Sequence, residues 1–164
     1  MLRYLAAEIL GAPVPVEDPV EHPWEGIYHP DAAGIFSRVS DYLEWYRGPR
    51  PLVGILFSRA HLVNENVAVE DALIRALEAR GLGVMPVFCH SLRDEELGVA
   101  GPGEAVEKYF LDEHGRPRVV ALVKLLSFFL AARARTDDYM RPGVAGQGAH
   151  ILERLGVPVF QPAV

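Results

Sequence analysis

The residues of this chain best placed for chemistry follow its apolar runs. Ser58, Arg59 and His61 come directly after Leu52-Val53-Gly54-Ile55-Leu56-Phe57, and Cys89 and His90 follow Val84-Met85-Pro86-Val87-Phe88. Lys124 and Ser127 lie at the end of a third run, and Gln161 follows a short fourth. If these runs are parallel strands, ligands bind beyond their carboxyl ends, where these side chains would gather. Arg59 and His61 are the sharpest pair, because their loop leads into a helix whose N-terminus favours negative charge. Arg offers a planar fork to a carboxylate or phosphate, and His can donate or accept beside it. Ser58, Lys124 and Ser127 complete the candidate ligand-binding set. A structural alternative stays open, with Arg59 paired to an acidic neighbour and His61 satisfying loop backbone.

Other patterns carry less. The histidines show no HxxxH or HExxH spacing, and Cys89 is the single cysteine, so neither a zinc signature nor an internal disulfide is expected. Cys89 reads as a buried thiol at a strand end rather than a nucleophile. The Gly143–Gly148 stretch GVAGQG lacks the GKS/T ending of a phosphate loop and reads as a flexible loop. The turn after the first run, SRAHLVNENV, has no glycine, which argues against a dinucleotide site. Asp137-Asp138 reads as a solvated loop pair rather than a cation site.

The elements that would position these residues follow from periodicity. Leu2, Leu5, Ala6, Ile9 and Leu10 repeat at helical spacing before Gly11. From Ala12 to Gly34 the chain carries Pro13, Pro15, Pro19, Pro23 and Pro30 with no period, as expected of a surface connection. A short helix over 40–47 is expected, capped by Ser37 or Ser40 and stopped by Gly48-Pro49-Arg50-Pro51. The run 52–57 reads as a strand buried on both faces, hence central. A helix over 67–80, capped by Asn64 or Asn66, carries Asp71 and Arg75 as an i,i+4 pair. The second strand, 84–88, contains Pro86, which suggests a sheet edge or a bulge. Helices over 103–110 and 146–155 and strands over 118–124 and 157–160 complete the alternation. The expected fold is α/β, an open mostly parallel sheet of flavodoxin-like or doubly wound type. Residues 1–36 form an N-terminal helix and Pro-rich connecting segment, and residues 37–164 form the α/β domain.

A chain of 164 residues with a formal net charge of −6 fits one domain and would repel a nucleic-acid backbone. Its 16 basic residues include only Lys108 and Lys124 as lysines, a bias expected of a genome rich in G and C. The most apolar segment, Val119 to Ala132, is too short to span a bilayer and contains Lys124, so no membrane partner is expected. With the lone cysteine and no signal peptide, a cytoplasmic location is expected.

Several stretches, in order, carry a family resemblance. They are Tyr28-His29-Pro30-Asp31-Ala32, the Asp41-Tyr42-Leu43-Glu44-Trp45-Tyr46 helix, and Arg50 to Phe57 followed by Arg59 and His61. Asp71-Ala72-Leu73 through Leu77 to Gly81 then lead into Pro86-Val87-Phe88, and the chain ends with LGVPVFQ. From about Leu2 to Gln161 it resembles the large subunit of cobaltochelatase and the related magnesium chelatase H subunit. Ser58 and Ala60 depart from the family's usual tyrosine and serine beside the arginine.

The resemblance implies a subunit that binds a tetrapyrrole and inserts a divalent metal, while partner ATPase subunits drive the step. In the cobalt branch the substrate is a hydrogenobyrinic acid diamide, on the route to cobalamin; in the magnesium branch it is protoporphyrin. Family subunits are many times longer, so an internal fragment, inactive alone, is expected to need the rest of its parent chain. No cofactor is expected within this fragment, with cobalt and ATP belonging to the whole complex; no catalytic role and no metal ligand is assigned. The rival expectations are a stand-alone flavodoxin-like module for an anionic small molecule, and a structural domain that docks neighbours. The first helix and the Pro-rich stretch place Leu5, Ile9, Trp24, Ile27 and Tyr28 as apolar surface.

Overall fold

The computed structural model describes residues 2–16, 21–126 and 144–162. Its organising element is the strand β2 (Leu52–Ser58), apolar and free of proline, and buried at each position as far as Phe57. Such a run needs cover on both faces and a partner on each edge. On one edge β3 (Gly83–Cys89) runs parallel to it, from Leu52 opposite Gly83 to Ser58 opposite Cys89. On the other edge β4 (Ala121–Lys124) is also parallel, from Val53 opposite Ala121 to Leu56 opposite Lys124. The strand β5 (Val159–Phe160) extends the parallel set beyond β4, and β1 (Gly26–Ile27) pairs antiparallel with β3. The order β1-β3-β2-β4-β5 makes an α/β fold with a five-stranded, mostly parallel sheet and β2 at its centre.

The helices are α1 (Leu2–Leu10), α2 (Val39–Trp45), α3 (Arg59–Val63), α4 (Ala68–Glu78), α5 (Pro102–Ala105) and α6 (Val144–Leu155). The helix α5 runs directly into a π-helical turn over Val106–Phe110. The turn packs against α6, and α4 packs on β3. The Phe110 ring lies over β2 so closely that a Cβ on Gly54 would sit 3.0 Å from it. A side chain at this position would require the ring to shift by a few tenths of an ångström.

Several local expectations are corrected. The third parallel strand begins at Ala121 rather than 118, because Arg118 N–H is spent on the Phe110 carbonyl at 2.8 Å in the turn that precedes it. The helix α4 starts after Val67 with no side-chain cap, while Asn64 closes α3 instead. Neither Ser37 nor Ser40 caps α2; Arg38 is its N-cap and bonds Asp41 at 2.9 Å. The pair Asp71 and Arg75 does not form, since each is claimed by a more distant residue. Asp71 accepts from the Tyr28 hydroxyl at 2.9 Å, and Arg75 binds both Asp31 oxygens. The stretch Val144–Gly148 of GVAGQG opens α6 rather than forming a loop, with Gly143 outside the described residues.

Pro86 marks neither an edge strand nor a bulge, because β3 lies between β1 and β2. Strand alternation points the backbone groups of Val84, Pro86 and Phe88 away from β2. The Tyr42 hydroxyl donates to the Val84 carbonyl at 2.7 Å, and Val84 N–H donates to the Tyr46 hydroxyl at 3.2 Å. The Pro86 carbonyl accepts from Tyr28 N–H at 2.9 Å, and Phe88 is paired with Gly26 in β1. Pro86 has no N–H to return to Tyr28, so the β1 ladder stops there. Part of the Pro-rich stretch is thus woven into the sheet. Ile27, expected at the surface, is 0% exposed, whereas Ile9 and Leu10 of α1 are 71% and 79% exposed.

Replacing Tyr42 by Phe removes the donor from a buried carbonyl and is expected to cost about 1–2 kcal/mol. Gly83→Ala should be worse, since its Cβ would fall 2.0 Å from the Pro49 carbonyl oxygen. Urea unfolding followed by circular dichroism checks both; wild-type stability in either variant would refute the account.

Candidate functional site

The carboxyl end of the sheet is where the predicted residues can be located. Ser58 closes β2, and its hydroxyl accepts from Ala60 N–H at 3.2 Å, capping α3; the same oxygen lies 3.3 Å from Ser91 Oγ. Arg59 turns toward the Pro-rich segment. Its Nε donates to the Pro23 carbonyl at 2.8 Å and its Nη2 to the His22 carbonyl at 2.9 Å. The guanidinium carbon stands 4.5 Å from the Trp24 ring centroid, a cation–π contact. His90 meets the same ring edge-on at 5.5 Å, with its Nδ1–H donating to the Leu92 carbonyl at 2.8 Å. Trp24 remains 44% exposed. Arg59, Trp24 and His90 therefore form one open face, and Nη1 of Arg59 makes no hydrogen bond among the described residues.

His61 belongs to a different grouping. Its Nδ1 lies 2.7 Å from Oε1 of Glu70, a side chain on the first turn of α4. Among the described residues Arg59 has no acidic partner, and the His61 side chain does not serve loop backbone. Arg59 holds backbone carbonyls, and His61 holds a carboxylate.

Lys124 ends β4 and is buried. Its amine donates to the Leu126 carbonyl at 2.5 Å and to Oε1 of Gln161 at 3.2 Å, so two of the predicted residues meet beyond β4 and β5. Burial pushes the amine below the usual lysine range. Ser127 and Asp137-Asp138 lie outside the described residues. A cleft of about 390 Å³ opens elsewhere, between the 93–100 loop and Glu104, and contains none of the predicted residues.

Sequence reasoning missed Trp24, Glu25 and Glu70. Glu25 takes the Lys108 amine at 2.6 Å and stands near Cys89. No spacing links those residues. Glu70 offered one signal, an acidic side chain in the first turn of a helix, where the dipole favours it.

Burial, helped by the Glu25 carboxylate, pushes the Cys89 thiol up to about 12. A raised folded value means that the neutral thiol is favoured, and stability is lost as pH rises past the unfolded thiol's range. Cys89 should therefore resist Ellman's reagent at pH 8 in the native chain and react in urea; rapid native labelling would contradict its burial.

A family model described as CobN/Magnesium Chelatase matches residues 1–164. An uncharacterised protein of Methanocaldococcus jannaschii is 36% identical over 147 residues, covering 89% of this chain and 11% of its own length. The chloroplastic magnesium-chelatase subunit ChlH of Oryza sativa subsp. indica is 31% identical over 160 residues, with 90% of this chain and 10% of that protein covered. Among solved structures, the catalytic subunit of cobaltochelatase from Mycobacterium tuberculosis matches with a TM-score of 0.51 at 22% identity. That match covers 96% of this chain and 11% of the other, so the chain spans about a tenth of its relatives' length. With the family model matching from the first residue to the last, the chain belongs to the CobN/magnesium chelatase family.

Proposed function

We propose that this chain is a domain of the large, tetrapyrrole-binding subunit of an ATP-dependent cobaltochelatase. The whole complex would insert Co2+ into a hydrogenobyrinic acid diamide on the route to cobalamin. It would act in the cytoplasm, with ATPase subunits and the rest of the parent chain as partners. The observation that carries the proposal is the family match over residues 1–164. The open face of Trp24, Arg59 and His90 supports it chemically. A flat macrocycle can stack on aromatic and guanidinium planes, and its carboxylate arms suit Nη1 of Arg59, which is unbonded among the described residues. Counting only the parallel strands, the order is second-first-third-fourth, which supports a flavodoxin-like reading with its crevice between β2 and β4.

The cobalt branch stands first on the ordered stretches from Tyr28 to Gln161. The magnesium branch is the second reading, favoured by the rice subunit at 31% identity.

Titrating the chain with hydrogenobyrinic acid diamide, protoporphyrin and flavin mononucleotide, and following tryptophan fluorescence, distinguishes the branches from a flavin module. The diamide should bind most tightly. Arg59→Ala should weaken its binding ten- to a hundredfold, about 1–3 kcal/mol. Unchanged affinity, with faster proteolysis near Trp24, would make Arg59 a structural clamp alone.

A further inference from the structure

We propose that His61 is a proton acceptor for the macrocycle's ring N–H groups during metal insertion, with Glu70 as its positioning residue. The proposal rests on the chelatase reading above.

A carboxylate oxygen can only accept a hydrogen bond from an imidazole, so the 2.7 Å contact makes Nδ1 of His61 the protonated nitrogen. In neutral imidazole the lone pair then belongs to Nε2. Glu70 is 1% exposed, whereas the His61 side chain is 39% exposed, so the imidazole is open to solvent while the carboxylate that holds it is not. No hydrogen bond is made to Nε2 among the described residues.

Glu70 is held for this purpose. It lies in the first turn of α4, an 11-residue helix whose N-terminal dipole stabilises a buried carboxylate. Its second oxygen, Oε2, is buried without a hydrogen-bond partner, so His61 is the only side chain bonded to this carboxylate among the described residues. A buried carboxylate fixing one nitrogen of a half-exposed ring, with the other nitrogen unbonded among the described residues, is the arrangement that general bases and metal-ligating histidines share. The two are separable here. A resident metal needs three or four donors; no group of three His, Cys, Asp or Glu side chains able to hold an ion occurs among the described residues. A proton needs one nitrogen.

The step balances simply. As a metal ion forms a bond to a ring nitrogen, that nitrogen's N–H bond breaks and its proton passes to Nε2 of His61. The imidazolium so formed keeps its Nδ1–H on Glu70, then releases the Nε2 proton to water. Each proton displaced by the metal can take this route in turn.

Two measurements test the assignment. Long-range 1H–15N correlation spectra of the chain should show neutral His61 protonated at Nδ1, and Glu70→Ala should mix the tautomers. A native Nε2–H tautomer overturns the proposal. In the reconstituted chelatase carrying the full large subunit, His61→Ala should lower kcat a hundredfold or more, with KM for the macrocycle within about twofold. Added imidazole should restore part of that rate, which a merely structural role would not allow. If the wild-type complex inserts metal and His61→Ala keeps its rate, the proton role fails while the chelatase reading stands. If the wild type inserts no metal into any tetrapyrrole, the chelatase reading fails and the proposal with it.

Discussion

The outer edge of β3 is the constraint on which the rest of this structure depends. A central parallel sheet built on β2 leaves β3 with a row of outward N–H and C=O groups, which cost free energy if buried unpaired. Tyr42 and Tyr46 serve Val84, Tyr28 serves Pro86, and Gly26 serves Phe88. Satisfying the edge thereby fixes α2 and the 26–28 segment against the sheet. Pro86 limits β1 to two residues, so Tyr42 of α2 and Tyr46, its C-cap, must cover what a longer strand would have paired.

The same segment is tied to α4 from the other side. His29 is buried; its Nδ1 accepts from Asp31 N–H at 3.2 Å, which leaves Nε2–H to donate to Glu78 at 3.3 Å. Glu78 also accepts from the Tyr46 hydroxyl at 2.9 Å. Burial and this carboxylate push the Tyr46 phenol up to about 12. Burial and the Asp71 carboxylate push Tyr28 up to about 12 as well. The Arg75 guanidinium holds the Asp31 carboxyl below the usual range. One short sequence, Tyr28 to Asp31, joins the sheet edge, α2 and α4, which gives physical content to its place in the family resemblance.

The parts of this fold legible in the sequence are those where burial acts on consecutive residues. Leu52–Phe57 and Val84–Phe88 are continuous apolar runs because both faces of each strand are covered, and the 3.6 period of α4 survives in Leu73, Ile74 and Leu77, although Val69 at the start of the stripe is exposed. What was illegible depends on pairs distant in the chain. β1 is too short to carry a period, and its place is set by pairing with Val87 and Phe88 of β3 and with Phe36. The local pair Asp71 and Arg75 looked favourable at helical spacing, yet an isolated surface pair contributes only tenths of a kcal/mol and yields to tertiary partners. Trp24 lay hidden among prolines, since nothing local says that an arginine 35 positions on will hold its neighbours' carbonyls.

Arg59 and His61 are two residues apart on a helix that turns about 100° per residue, so their side chains leave α3 in widely different directions. Arg59 accordingly meets the 22–24 segment, and His61 meets α4. A single carboxylate gripped by both is therefore poor geometry, and the loop instead offers two separate functional groups at one sheet edge. Each is aimed by a partner that the fold supplies: the carbonyls of His22 and Pro23 orient the guanidinium, and the buried Glu70 orients the imidazole. Lys124 with Gln161 forms a further grouping beyond β4 and β5. A ligand touching more than one grouping must be broad, which a flat macrocycle with carboxylate arms is and a lone phosphate is not. Under the proposed function, the breadth of that edge, more than any single residue on it, would suit a tetrapyrrole better than a small anion.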